Sequence, residues 1–156
     1  VLAFIHQRGI VHRDLKPRNV MLLEGRDPNP QVKLLDFGIA RAPDHTAVTE
    51  TGIMLGTLAY LAPEQIQLGQ STPASDMHAL GVIAFEMVAG RPPFVAPTGA
   101  VLMREIVATV PLWPGGTRPD CPTWLAGLVL ELLEKKPERR PTAAQVGQRL
   151  EVGIRL

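Results

Sequence analysis

Up to Ala62 the apolar residues come mostly in short runs, and from Ser75 onward they recur three and four positions apart. The chain therefore predicts a strand-and-loop portion followed by a helical one. Ile10-Val11, Val20-Met21-Leu22-Leu23 and Val32-Lys33-Leu34-Leu35 are long enough for strands and too short for helices. They predict a small two-hairpin platform, with Glu24 to Pro30 as a polar connection. Ahead of it Val1, Leu2 and Ile5 form a helical stripe that Gly9 can stop. The stripe is already under way at a first residue that is not methionine, which reads as a cut N-terminus.

From Ile39 to Ala62 no period survives, and compact domains usually keep a stretch that long without pattern only for function. Ser75 to Ala89 then carries Leu80, Ile83, Ala84, Met87 and Val88 on one side and Val82 and Phe85 on the other, the pattern of a fully buried central helix. Gly90 and Pro92-Pro93 end it. A weaker amphipathic helix is expected over Thr98 to Thr109, and a proline- and glycine-dense loop over Val110 to Pro122. Thr123 is a candidate cap for a helix with Leu125, Leu128, Val129, Leu132 and Leu133 on its core stripe. Thr142-Ala143-Ala144-Gln145 has the capping-box spacing that opens a last helix.

Composition narrows the function classes. With 156 residues and 46% hydrophobic content the chain can bury one core. Sixteen basic and fifteen acidic residues leave a net charge of +1 with no basic stripe, so neither a nucleic-acid nor an anionic-membrane partner is expected. Cys121 is the one cysteine, which excludes an internal disulfide framework and suits a reducing, cytoplasmic compartment. The longest apolar run, Ala79 to Phe85, is far short of the about 20 residues of a membrane span, so any anchor would lie outside this stretch.

Candidate chemistry concentrates in His12-Arg13-Asp14-Leu15-Lys16-Pro17-Arg18-Asn19. Pro17 disfavours a helical Lys16, and in extended backbone residues two apart share a side, so Asp14 and Lys16 can face one reactant. Taken alone an Asp-x-Lys pair reads as a solvated turn. Two further segments change that: Asp36-Phe37-Gly38 closes the third apolar run with an acid and a turn-forming glycine, and Leu55-Gly56-Thr57-Leu58-Ala59-Tyr60-Leu61-Ala62-Pro63-Glu64 follows.

These ordered motifs resemble those of eukaryotic-type (Hanks-type) serine/threonine protein kinases, most of all bacterial members. The resemblance covers essentially the whole chain. It implies a mainly α fold with a small β platform, the protein-kinase-like C-terminal lobe (α+β), running over 1–156 from the end of the family's αE helix to its αI. The catalytic loop would be 12–19, the DFG motif 36–38 and the activation segment 36–64. The N-terminal lobe is missing from these residues, which contain no G-x-G-x-x-G loop and no V-A-I-K lysine.

The resemblance further implies transfer of the γ-phosphoryl of ATP to protein Ser or Thr hydroxyls. Asp14 would orient the hydroxyl and accept its proton, Lys16 would neutralise the transferred group, and Thr57 would contact that pair. Asn19 and Asp36 would bind Mg²⁺, with Mn²⁺ as a substitute. Met21, between Val20 and Leu22, would lie under adenine, although a generic core strand explains this run equally well. His12 and Phe37 would stack, with Asp76 as their anchor, and Glu64 would pair with Arg140. Thr49, Thr51 or both, which flank Glu50, would be autophosphorylated, and Arg13 would pair with the phosphate. The residues between Asp14 and Asn19 favour Ser/Thr over Tyr specificity. Lys136 before Pro137 and His78-Ala79 depart from the family pattern without touching the chemistry. The competing expectation is a pseudokinase or scaffold, a binding module without turnover.

Overall fold

The computed structural model describes residues 1–23, 31–37, 55–113 and 121–154. Its first helix, α1 (Leu2–His6), stops where Gly9 takes φ 71°. There the Ile10 N–H closes onto the Ile5 carbonyl and the Gly9 N–H onto that of His6, satisfying the last turn. Lys16 is extended ahead of Pro17, and Pro17–Asn19 form a single 3₁₀ turn inside the expected loop. β1 (Val20–Leu23) then pairs antiparallel with β2 (Gln31–Leu34), in register from Val20 opposite Leu34 to Leu23 opposite Gln31.

Among the described residues this is one hairpin, not two. Ile10 and Val11 form no strand because the donors around them are committed elsewhere. Ile10 closes α1, and the N–H groups of His12 and Arg13 both reach the Asp76 carboxylate.

The remaining described elements are the helices α2 (Leu55–Leu58), α3 (Pro63–Leu68), α4 (Pro73–Ala89), α5 (Gly99–Ala108), α6 (Thr123–Leu132) and α7 (Ala143–Ile154), with a second 3₁₀ turn at Pro137–Arg139. α2 is a short helical turn within the stretch expected to be irregular. α4 starts two residues before the expected Ser75 because Pro73 suits the first helical position and Thr72 caps it, its N–H donating to the Ser75 hydroxyl at 3.1 Å. Thr98 caps α5 through the Val101 N–H, and Thr142 and Gln145 exchange bonds at the start of α7. Thr123 does not cap α6. It is that helix's first residue, after Pro122.

α4 passes through the core but is not buried all round. Met77, Val82 and Phe85 are enclosed, whereas Met87, expected on the core face, is 76% exposed. The inward stripe is therefore rotated from the Leu80-Ile83-Met87 line. Gly81 explains the choice: a Cβ there would lie 2.8 Å from Leu132 Cβ, so the glycine face is where α4 and α6 touch. Val82 and Phe85 pack with Val129 and Leu133, while Met77 packs with Leu128, Leu132 and Val146. A third cluster joins Leu58, Ala59, Phe94, Leu102 and Ile106, fixing α2 and α5 together beside the loop.

Candidate active site

The first turn of α4 holds the loop. Asp76 is 2% exposed, and its Oδ2 accepts the His12 N–H at 2.8 Å while Oδ1 accepts the Arg13 N–H at 3.0 Å. Two consecutive backbone donors are thus clamped by one carboxylate. Arg13 takes φ 69°, a left-handed conformation that costs a non-glycine residue about 1–3 kcal/mol and persists only where surroundings enforce it. The turn aims Asp14 across the loop. His12, fully buried, donates from Nε2 to the Leu35 carbonyl at 3.0 Å and meets the Phe37 ring at 4.9 Å between centroids, tilted 37°.

Asp14 and Lys16 do share a side: Lys16 Nζ donates to Asp14 Oδ2 at 2.8 Å. Asn19, 5% exposed, donates from Nδ2 to the Asp14 carbonyl at 2.7 Å and to its Oδ2 at 3.3 Å. Its amide nitrogen is spent on the loop, which turns Oδ1 to other use. The hairpin then carries Asp36 to Asn19. The Leu35 N–H donates to the Asn19 carbonyl at 2.8 Å, one step beyond the Val20–Leu34 pair, so Asn19 and Asp36 sit at the same end of adjacent strands. Asp36 is exposed and takes φ 50°, with Arg13 the second non-glycine residue at positive φ among the described residues. An amide oxygen and a carboxylate are hard donors that fit a divalent cation which keeps phosphate and water in its shell.

Thr57 borders the narrow cleft that Asp14 lines, together with Arg13, Tyr60 and Asp76. The Tyr60 hydroxyl donates to Glu86 Oε2 at 2.6 Å, and burial together with that carboxylate pushes its pKa well above the ordinary phenol value. Met21 is 43% and Leu22 62% exposed. β1 is thus no core strand but an uncovered apolar surface beside Asn19.

Glu64 and Arg140 meet in the interior, Nη1 to Oε1 at 2.7 Å and Nη2 to Oε2 at 2.8 Å. The three remaining guanidinium protons go to the carbonyls of Glu134, Ala74 and Lys135, and the Ser75 hydroxyl adds a bond to Glu64 Oε1. Burial alone would push the Glu64 carboxyl up. The Arg140 guanidinium, its own backbone N–H and the Ser75 hydroxyl outweigh that and hold it below the ordinary value.

Gly38, Thr49 and Thr51 lie outside the described residues, as do most of 36–64; Arg13, assigned to meet the threonines, is exposed. Residues that sequence reasoning missed are His6, whose Nε2 lies 2.8 Å from Asp76 Oδ2, and Ser75 and Glu86. Thr72-Pro73 ahead of Ser75 was a legible capping signal, whereas nothing local marked His6. No described helix is long and apolar enough to cross a membrane.

Residues 1–150 match the protein kinase domain family. The chain is 43% identical over 141 residues to the serine/threonine-protein kinase PknA of Mycobacterium tuberculosis (strain ATCC 25618 / H37Rv), covering 89% of this chain and 31% of that protein. It is 39% identical over 147 residues to PknB of Mycobacterium leprae, covering 93% and 23%, and 40% identical over 145 residues to the probable serine/threonine-protein kinase PkwA of Thermomonospora curvata, covering 93% and 18%. The chain spans about a third or less of the length of these curated relatives. With a family match along nearly its whole length, the chain belongs to the protein kinase domain family.

Proposed function

We propose that this chain is the larger catalytic lobe of a bacterial serine/threonine protein kinase that moves the γ-phosphoryl of ATP to protein hydroxyls. The observation that carries the reading is the convergence of Asp14, Lys16 and Asn19 on one carboxylate, Oδ2 of Asp14, with Asp36 delivered alongside. Asp14 orients the substrate hydroxyl and takes its proton, and Lys16, bonded to it, holds positive charge where the transferred group must pass. Asn19 Oδ1 and Asp36 would hold Mg²⁺, or Mn²⁺ in its place, and a metal bound there neutralises charge on the phosphates. The exposed Met21 and Leu22 suit an adenine ring and a covering lobe. Glu64–Arg140 and the His12–Phe37–Asp76 group are structural supports.

Arg13, exposed and adjacent to Asp14, suits a bidentate phosphate contact from Thr49 or Thr51. Phosphorylation there adds about −1.5 to −2 charge and three acceptor oxygens, enough to order a loop. Unchanged turnover in a Thr49→Ala/Thr51→Ala double variant of the full-length enzyme would remove this switch.

The test of the main reading is phosphoryl transfer from Mg-ATP to a basic protein by the full-length enzyme, abolished by Asp14→Asn. Absence of transfer in the wild type would instead favour a pseudokinase or scaffold. Residues 1–156 alone are expected to be inactive. General-base chemistry supplies about 10²–10⁴-fold, whereas positioning both reactants is worth roughly 7–11 kcal/mol and needs a nucleotide clamp these residues do not contain.

A further inference from the structure

We propose that Lys135, in the connection between α6 and α7, is a site of lysine acylation, and that acylation there unlatches α5 from the rest of the lobe. The half-buried side chain crosses to α5, where Nζ donates to the Ile106 carbonyl at 2.6 Å. Ile106 lies near the end of α5, where carbonyls run out of intrahelical N–H partners, so Lys135 caps that end from a different element. The ammonium also sits 4.2 Å from the centre of the Phe94 ring. Phe94 and Ile106 belong to one buried cluster with Leu58, Ala59 and Leu102. One nitrogen thus ties α5 and Phe94 to the segment that carries Arg140.

The same surroundings make the amine reactive. Burial first, and then the Arg140 guanidinium, pull the Lys135 pKa down to about 8, against the carboxylates of Glu134 and Glu105. Arg140 cannot turn away, because its N–H groups are committed to Glu64 and to the carbonyls of Ala74, Glu134 and Lys135 itself. His78, on α4, is the other titratable group in range, and its burial keeps it neutral. The Phe94 face favours the ammonium, and the midpoint of the titration reads the balance. With a pKa of about 8, about one Lys135 in ten carries a free lone pair at pH 7, against fewer than about one in a thousand for an ordinary lysine. That lone pair attacks the carbonyl carbon of an acyl phosphate. The bond from this carbon to the phosphate oxygen breaks, phosphate leaves with the electron pair, and the nitrogen gives its surplus proton to water. The resulting amide has no charge, so it loses the ring contact and the charge-assisted bond to Ile106. Leu58 and Ala59 follow Thr57, which borders the cleft of Asp14, so a loosened α5 also disturbs the active site; that consequence rests on the kinase reading above.

The test incubates the full-length enzyme with a limiting amount of acetyl phosphate and maps the acetylated lysines by mass spectrometry. Lys136, exposed and adjacent, is the internal standard. At pH 7 Lys135 should be acetylated at least about fivefold faster than Lys136, with a rate that levels off above about pH 8. In the fraction acetylated at Lys135, the amides of Leu102 to Thr109 should exchange their hydrogens at least about fivefold faster. Lys135→Gln should reproduce that exchange, and Lys135→Arg, which keeps the charge, should stay near wild type. Labelling of Lys135 no faster than Lys136, or a rate still climbing at about pH 10, would overturn the site. Unchanged exchange in α5 after acetylation would overturn the latch, and where Lys135→Gln does not fold the acetylated wild type decides. None of these readouts needs phosphoryl transfer, so a failure of the kinase reading is seen separately.

Discussion

Two buried carboxylates, Glu64 in α3 at 5% exposure and Asp76 in the first turn of α4 at 2%, are served in different ways. Glu64 faces a guanidinium whose five N–H groups all have acceptors, plus a hydroxyl. Asp76 receives two backbone N–H groups and an imidazole. The first arrangement joins segments 76 positions apart through a bidentate, charge-assisted pair, so its loss strands a buried charge. The second fixes the direction of individual N–H bonds, whose strength falls steeply with misalignment, and so determines backbone conformation at Arg13. One carboxylate holds the lobe together; the other shapes the loop that carries Asp14. Ser75 and Asp76 are neighbours in one helical turn, so α4 serves both tasks from adjacent residues.

The sharpest way to break this contrast is Arg140→Ala. It strands Glu64 in the interior and should cost about 3–5 kcal/mol by chemical denaturation. Arg139→Ala, at an exposed neighbour, should stay within about 0.5 kcal/mol. Equal losses would mean the buried pair is not a principal support.

Asp76→Asn should show the reverse balance. An amide turns one N–H-bearing end toward the loop donors and loses one acceptor, costing about 1–3 kcal/mol, while turnover falls about 10²-fold. A turnover loss no larger than the drop in folded fraction would show that Asp76 only stabilises.

Gly81→Ala perturbs α4 without touching either carboxylate. Its Cβ would press on Leu132 Cβ at 2.8 Å and on the Leu132 backbone at 3.3 Å, so overpacking should cost about 1–3 kcal/mol. kcat of the folded fraction should not change; if it fell, positioning would extend over the whole helix.

The smallest effect is a pH dependence. His78 is fully buried, and neither ring nitrogen has a partner among the described residues. Burial, then the charges of Arg140 and Lys135, hold its pKa well below the ordinary value. The unfolded chain therefore binds a proton near pH 6.5 that the folded one refuses, so stability falls as pH drops below that point. The loss should be roughly 1 kcal/mol per pH unit, and His78→Leu should flatten it in urea titrations run between pH 7 and 5. An unchanged slope would assign the dependence to other groups.

Much of the fold was written locally. Helix boundaries followed from Gly9, Gly90, Thr98 and Thr142, and the antiparallel hairpin from two apolar runs around a polar connection, because caps, turns and short periods depend on residues within a few positions of one another. The composition of the site was equally legible, since Asp14, Lys16 and Asn19 lie within one short segment. The Glu64–Arg140 pairing was accessible only through resemblance to a family, not through any signal in its surroundings.

The rest was settled by tertiary contact. Met87 lies outside because Gly81 lets α6 approach the other face of α4, a choice between apolar stripes that periodicity leaves open. Among the described residues Ile10 and Val11 pair with no strand, and Asp76, more than sixty positions later, takes the N–H groups of His12 and Arg13 beside them. His6 acquires its partner in the same way, 70 positions along the chain. Sequence spacing determined which residues could act together, and the fold decided which hydrogen bonds they made, since each donor can be spent once and its acceptor arrives from far along the chain.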